Sequence, residues 1–163
     1  MTALFFQALA AQLSCKGSQA LSGRARRVHL LIAGTTFPQA TRSCRAEVGI
    51  AYADGTAQRI ELRSPGTWWP VEQDYLVDDY VFRMEEPHDP AVSVSWRVDL
   101  QTAAARATAP LRQPGMRGGK IPGGSAFVVS VETNSAKELK AIELHTRMYG
   151  VVLGWLGLTL ERV

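Results

Sequence analysis

The chain has 163 residues, of which 46% are hydrophobic and 20% charged, and its formal net charge is +3. This length fits one domain with its own core, and this balance is typical of a folded protein rather than a disordered one. The positive charge comes from arginines spread along the chain. The only tight cluster, at 24–27, has no interleaved aromatic residues, which argues against a nucleic-acid patch. We expect neither nucleic acid nor a membrane as a partner.

Residues 1–13 are apolar and uncharged and precede Ser14 and Cys15. A secretory signal carries positive charge ahead of its apolar stretch, and none is present here. The run is also too short to span a bilayer. We therefore interpret 1–22 as a lead-in segment, a short helix or irregular stretch covering one end of a single domain over 23–163. A start placed inside a longer reading frame is the alternative.

Two cysteines and three histidines (Cys15, Cys44, His29, His88 and His145) provide no C-x-x-C pair and no zinc-binding spacing. The sequence spacing does not decide whether Cys15 and Cys44 form a disulfide. Two unpaired thiols are the simpler interpretation. No G-x-S-x-G elbow occurs. His29 and His145 lie within alternating apolar runs, where we expect hydrogen-bonded structural histidines.

From residue 28 onward the pattern predicts short strands separated by turns. The predicted strands are 28–33, 47–52, 56–62, 76–82, 91–100, 125–131, 141–147 and 151–160. Gly34 is predicted to close the first of them. Asp54-Gly55 predicts a hairpin with a type I′ turn, in which both residues have positive φ.

A long loop is expected at 101–124, and helix only as single turns near the N-terminus and around 135–138. About eight strands at this spacing, with no βαβ alternation, predict an all-β fold. The specific prediction is an antiparallel β-sandwich of the jelly-roll, galactose-binding-like type with little helix.

The run Trp68-Trp69-Pro70-Val71-Glu72-Gln73-Asp74-Tyr75 is the strongest candidate for a binding site. Its aromatic residues offer flat faces on which sugar rings stack, and its carboxylates can accept hydroxyl groups or hold a structural calcium ion. The predicted ligand-binding residues are Trp68, Trp69, Glu72, Asp74 and Tyr75. Aromatic residues also fill cores, and adjacent strand residues face opposite sides. We therefore expect one of the two tryptophans to be buried.

The acids of this stretch do not specify a glycosidase. A catalytic pair needs two carboxyl groups about 5–10 Å apart. Four acids between residues 72 and 79 (Glu72, Asp74, Asp78 and Asp79) meet that distance by chance. We assign no catalytic residue and expect no cofactor. A structural calcium ion held by these acids stays open as an alternative.

A further set of motifs extends over most of the chain. It comprises 30–36, Tyr52-Ala53-Asp54-Gly55-Thr56, the tryptophan-centred run 68–75, Arg97-Val98-Asp99-Leu100, Pro122-Gly123-Gly124, Lys137-Glu138-Leu139-Lys140 and 151–162. Together these motifs resemble the C-terminal β-sandwich of large, poorly characterised bacterial proteins that are similar to (α/α)-toroid glycoside hydrolases. The resemblance covers roughly Ser22 to Arg162. The tryptophan run is its most specific part, whereas 145–150 depart from the pattern.

The resemblance implies a galactose-binding-like jelly roll that is accessory to polysaccharide breakdown and not itself catalytic. It implies carbohydrate, or a toroid glycosidase-like domain, as the partner, and it favours a secreted or periplasmic location. Two functions stay open. One is a carbohydrate-binding accessory sandwich, and the other is a structural domain that packs on a catalytic partner and binds no sugar.

Overall fold

The structure, a computed structural model, describes residues 7–8, 16–35, 44–63, 67–68, 70–71, 73–74, 77–78, 91–107, 113–114, 119–147 and 150–163. Over these residues the chain is all-β and contains no helix. Two main antiparallel sheets pack together, so the predicted β-sandwich is confirmed. The finer jelly-roll assignment stays a prediction.

The strands, in chain order, are β1 (Gln7–Ala8), β2 (Lys16–Ala20), β3 (Ala25–Thr35), β4 (Cys44–Tyr52), β5 (Ala57–Arg63), β6 (Gln73–Asp74), β7 (Val77–Asp78), β8 (Val92–Asp99), β9 (Ala105–Ala107), β10 (Gln113–Pro114), β11 (Gly119–Lys120), β12 (Ser125–Glu132), β13 (Leu139–Thr146) and β14 (Val152–Arg162). The first sheet has the order β1-β14-β3-β12-β8-β9, and the second has the order β2-β13-β4-β5. Two short pairs complete the described strands: β10 lies parallel to β7, and β11 lies antiparallel to β6.

The core lies between the two main sheets and follows from the alternating sequence pattern. Val28, Leu30 and Ile32 of β3 are fully buried and belong to one cluster with Val48 and Ile50 of β4. Because side chains alternate between the faces of a strand, every second residue of both sheets points into this cluster. Apolar burial at about 25 cal/mol per Å² makes this contact the main stabilising term of the fold.

Gly34 does not end the first predicted strand, contrary to expectation. It lies inside β3, opposite Leu153 of β14. A Cβ added at Gly34 would lie only 2.7 Å from the carbonyl oxygen of Val152. Glycine is needed here because two backbones approach each other closely, and a glycine inside a strand often marks such a contact.

Two regions predicted as helix or loop also contain strands where they are described. The lead-in segment supplies β1 and β2, and β2 pairs with β13 at the edge of the second sheet. The predicted 101–124 loop supplies β9, β10 and β11. Around 135–138 the chain makes a single β-turn, in which the Lys137 amide donates to the carbonyl oxygen of Asn134 at 3.0 Å.

The hairpin predicted at Asp54-Gly55 joins β4 to β5, but its turn is not type I′. Gly55 has a φ of +84°, whereas Asp54 is not in the positive-φ region. The Gly55 amide donates to the Tyr52 carbonyl at 3.1 Å, and the Tyr52 amide donates to the Thr56 carbonyl at 2.9 Å. This is a three-residue loop, a type I turn followed by a left-handed glycine. The Asp54 carboxylate accepts the Thr56 amide at 2.9 Å and so helps to hold the loop.

Replacing Gly55 with valine is expected to lower the free energy of unfolding by about 1–3 kcal/mol, because a β-branched residue is strained at positive φ. An added Cβ meets no atom within 4 Å, so crowding makes no contribution. Gly55→Asn should cost clearly less, since asparagine tolerates the left-handed region. Urea denaturation of both variants tests this. Equal losses would show that backbone conformation is not the cause.

The pKa of Asp54 lies well below the ordinary range of an aspartate, first because of Lys137, whose Nζ lies 2.8 Å from Oδ2, and then because Thr56 donates to Oδ1. A group whose folded-state pKa is lowered contributes stability above its unfolded pKa, near 4, and loses that contribution as the pH falls. Asp54→Asn should therefore flatten the decline in Tm between about pH 5 and pH 2. Thermal unfolding across that range is the measurement, and parallel curves for wild type and variant would contradict the assignment.

Candidate functional site

The segment that carries the predicted binding residues leaves the second sheet and crosses to the first. At its start the Thr67 amide donates to the carbonyl of Arg63, at the end of β5, at 2.8 Å. At its end the Val71 amide donates to the Gly34 carbonyl at 2.8 Å, and the Val71 carbonyl accepts the Ser125 amide at 2.7 Å. Residues 67–71 are thus attached to β5 on one side and to β3 and β12 on the other.

Trp68 lies between these two attachments and is one of the largest fully buried side chains of the described residues. It belongs to the cluster between the sheets, and its Nε1 has no hydrogen-bond partner among the described residues. The expectation that one of the two tryptophans is buried thus holds for Trp68. In this position its ring faces meet core side chains and not a ligand in solvent.

The other predicted binding residues are described only in part. The backbone of Asp74 lies in β6 opposite Gly119 of β11, at the start of the described glycine-rich stretch 119–124. The side chain of Asp74 lies outside the described residues, as do Trp69, Glu72 and Tyr75 entirely. Their ligand role therefore stays a prediction.

The side chains that could hold a metal ion or form the disulfide are also largely undescribed. No three His, Cys, Asp or Glu side chains come together to hold a metal ion among the residues that are described. The side chains of the acids at 72–79 and of Cys15 and Cys44 lie outside the described part of the structure, so the calcium site and the disulfide stay open. The described chain also has no helix that is long and apolar enough to cross a membrane.

A groove of about 360 Å³ lies on the outer face of the second sheet. It forms there because Val48 and Ile50 of β4 point to the core. The small residues that alternate with them, Gly49 and Ala51, therefore point outward in the middle of the sheet. Gly49 pairs with Glu143 of β13 on one side and with Arg59 of β5 on the other. The floor of the groove is formed by Gly49, Ala51 and Ala57, and its rim by Glu47, Arg59, Glu143, His145 and Arg147.

Glu47 is the electrostatic centre of the groove. Its side chain is only 10% exposed, and Arg147 Nη2 donates to its Oε2. Arg59 Nε lies 3.7 Å from its Oε1, beyond hydrogen-bond distance. A carboxylate this buried is costly unless cations compensate for its lost hydration. Two guanidinium groups therefore converge on one carboxylate.

On the β13 side, the rim of the groove is formed by Glu143 and His145. His145 Nε2 lies 2.8 Å from Glu143 Oε2, and both side chains are partly exposed. His145 is hydrogen-bonded, as expected for a histidine in an alternating strand, but it faces the groove and not the core. Acceptors and donors thus both surround a floor of small residues.

A second polar cluster lies on the outer face of the first sheet. His29 Nδ1 is hydrogen-bonded to Ser130 Oγ at 2.8 Å, and His29 Nε2 lies 3.6 Å from Glu161 Oε2. Ser130 is buried on β12, a central strand whose backbone pairs with β3 and β8. The described residues therefore offer no pair of free amides that would stabilise an oxyanion beside it. We interpret this cluster as structural, in line with the expectation for His29.

None of the groove residues was singled out for binding by the sequence. They come from three strands around positions 47, 59 and 145, and only the pairing of β13 with β4 and of β4 with β5 brings them together. One local signal was present. In the alternating run 47–51 the outward positions are Glu47, Gly49 and Ala51, an acid followed by two small residues.

Comparison of the chain with protein families, with characterised proteins and with solved structures finds no match. The all-β sandwich therefore rests on the geometry described above. The resemblance to the sandwich domain of toroid glycosidase-like proteins stays a prediction from the motifs.

Replacing Trp68 with alanine is expected to lower the free energy of unfolding by about 3–5 kcal/mol, because it leaves a large cavity between the sheets. Trp68→Phe should cost less, since it keeps most apolar contacts and removes an N–H that has no partner among the described residues. Urea denaturation measures both values. A loss below about 1 kcal/mol for Trp68→Ala would contradict the core position.

Proposed function

We propose that the chain is a non-catalytic accessory sandwich that binds carbohydrate, and that the glycan lies in the groove on the outer face of the second sheet. The observation that carries the proposal is the arrangement of this groove. Charged side chains of Glu47, Arg59, Glu143 and Arg147 surround a floor of small residues. A volume of about 360 Å³ lies within the range of small-molecule sites and suits a short stretch of glycan.

Sugars fit this arrangement because each hydroxyl group both donates and accepts a hydrogen bond. Guanidinium groups supply only donors and carboxylates only acceptors, and the groove has both on facing rims. Its side chains stand on three strands in a continuous hydrogen-bonded ladder. Groups held by a rigid sheet lose little conformational freedom on binding, which favours affinity.

The ion pairs of the groove support a binding role over hydrolysis. Glycoside hydrolysis uses one carboxyl group that keeps its proton and a second that is ionised. Glu47 is held between Arg59 and Arg147, and Glu143 lies against His145. Both carboxylates are thus engaged by neighbouring polar side chains, as in a site that holds hydroxyl groups.

The aromatic and acidic run remains a second location for the same function. Trp69, Glu72, Asp74 and Tyr75 are proposed ligand residues on the strength of their chemistry and of the family resemblance. Trp68 supports this location only indirectly, by fixing the segment between the sheets. The titration that tests the groove therefore includes Trp69→Ala.

One observation favours the other function, a structural domain that packs on a toroid glycosidase-like partner. Trp96 of β8 is 47% exposed on the outer face of the first sheet, and Leu100 is exposed at the end of the same strand. Exposed aromatic residues are enriched in the centres of protein interfaces. In this case the folded chain binds no glycan at all.

Replacing Gly49 with valine is expected to reduce glycan affinity at least tenfold while Tm stays close to that of the wild type. A Cβ at Gly49 would lie 3.8 Å from the Cβ of Glu143, an ordinary contact, and the branched side chain would fill the floor of the groove. Isothermal titration against plant and bacterial polysaccharides is the measurement. Ser93→Val, which adds the same side chain on an exposed position of the first sheet, is the matched control.

Two results would overturn the proposed site or function. Unchanged binding in Gly49→Val, with binding lost in Trp69→Ala, would move the site to the aromatic run. A folded wild-type chain that binds no polysaccharide of the panel would exclude carbohydrate binding and favour the interaction domain.

A further inference from the structure

Two guanidinium groups share the central carboxylate of the groove, but unequally. Glu47 already accepts a hydrogen bond from Arg147, and Arg59 is the second guanidinium directed at the same carboxylate. Arg59 makes no hydrogen bond to the described residues, and its side chain is 74% exposed. Apart from the 3.7 Å ion pair with Glu47, this exposed guanidinium can therefore offer its N–H donors to a ligand at the edge of the groove.

The sheet register places a carboxylate across the groove from the Arg59 guanidinium. Arg59 of β5 and Glu143 of β13 flank Gly49 of β4 in one cross-strand row. Since neighbouring strands lie about 4.8 Å apart, the backbones of the two charged residues stand about 10 Å apart across the floor. A sugar ring lying over Gly49 would thus meet a donor-only group on the β5 side and an acceptor on the β13 side.

From this asymmetry we infer that the ligand is an acidic glycan whose uronate carboxylate is bound by Arg59, with ring hydroxyl groups directed to Glu143. The inference rests on the proposed function and specifies its ligand class. A planar carboxylate matches the two parallel N–H donors of a guanidinium edge. Arg147 is less available for the same role, because its Nη2 is already bonded to Glu47.

The matched probes are a galacturonate trisaccharide and the neutral galactose trisaccharide with the same linkage, which differ only in the oxidation of C6. Isothermal titration at low salt should give at least tenfold tighter binding of the galacturonate trisaccharide by the wild type. That preference should weaken as salt is added, since the charged partner Arg59 is largely exposed to solvent.

Arg59→Gln is the decisive variant, because glutamine keeps hydrogen-bond donors but loses the charge and the paired edge. It should remove the preference for galacturonate, so that the two trisaccharides bind the variant with equal affinity. Arg63→Gln is the control, since Arg63 stands on the same strand outside the groove lining. It should leave both affinities unchanged.

Each other outcome has a distinct meaning. Equal binding of the two trisaccharides, or a preference that survives in Arg59→Gln, overturns the inference and leaves carbohydrate binding intact. An equal loss for both trisaccharides in Arg59→Gln also overturns it, because Arg59 then serves as a general hydroxyl donor. Tighter binding of a 6-sulfated galactose trisaccharide than of galacturonate overturns the choice of a carboxylate. If no glycan of the earlier panel binds, the proposed function fails together with this inference.

Discussion

The contact between the inner faces of the two main sheets determines the rest of the structure. Strands β3 and β4 bury every second residue in a common core, with Leu30 and Ile50 fully enclosed. Because side chains alternate with a period of two, the same packing fixes which residues point outward. A slip of one residue in β4 would turn Glu47 and Gly49 towards the core and Val48 and Ile50 towards the outer face. The groove is therefore a consequence of core packing, and the free energy that holds the sheets together also positions the charged rim.

The crossing between the sheets shows how one tryptophan of a candidate binding motif can belong to the core. Trp68 fills the space between the sheets, and the residues on either side of it are hydrogen-bonded to β5, β3 and β12. The composition of the aromatic run suits both stacking on a sugar and packing in a core. Composition alone does not separate a tryptophan that packs from one that binds. The proposed glycan site instead depends on arginine and glutamate side chains, which are common on any surface and become informative only once their strands are paired.

The local features of the fold were predictable from the sequence, and the non-local ones were not. Alternation located most strands, and Asp54-Gly55 located a hairpin. The turn type was wrong because Asp54 uses its carboxylate to cap Thr56 and does not adopt positive φ. Gly34 was taken for a strand end because its partner backbone lies 119 residues further along the chain, at Leu153. The groove was missed for a similar reason: the run 47–51 indicated only its floor, whereas the pairing with residues around 145 that completes it is non-local.

The position of β3 has a consequence for how the chain reaches this structure. Its neighbours in the sheet are β12 and β14, which begin at Ser125 and Val152, while β3 itself begins at Ala25. During synthesis β3 emerges well before its partner strands, which lie about a hundred residues further along the chain. Bringing such distant segments together costs conformational entropy before any strand pairing is gained. Folding is then expected to be slow for a chain of this size, and the unpaired edges of β3 are the places where a nascent chain would associate wrongly with its neighbours.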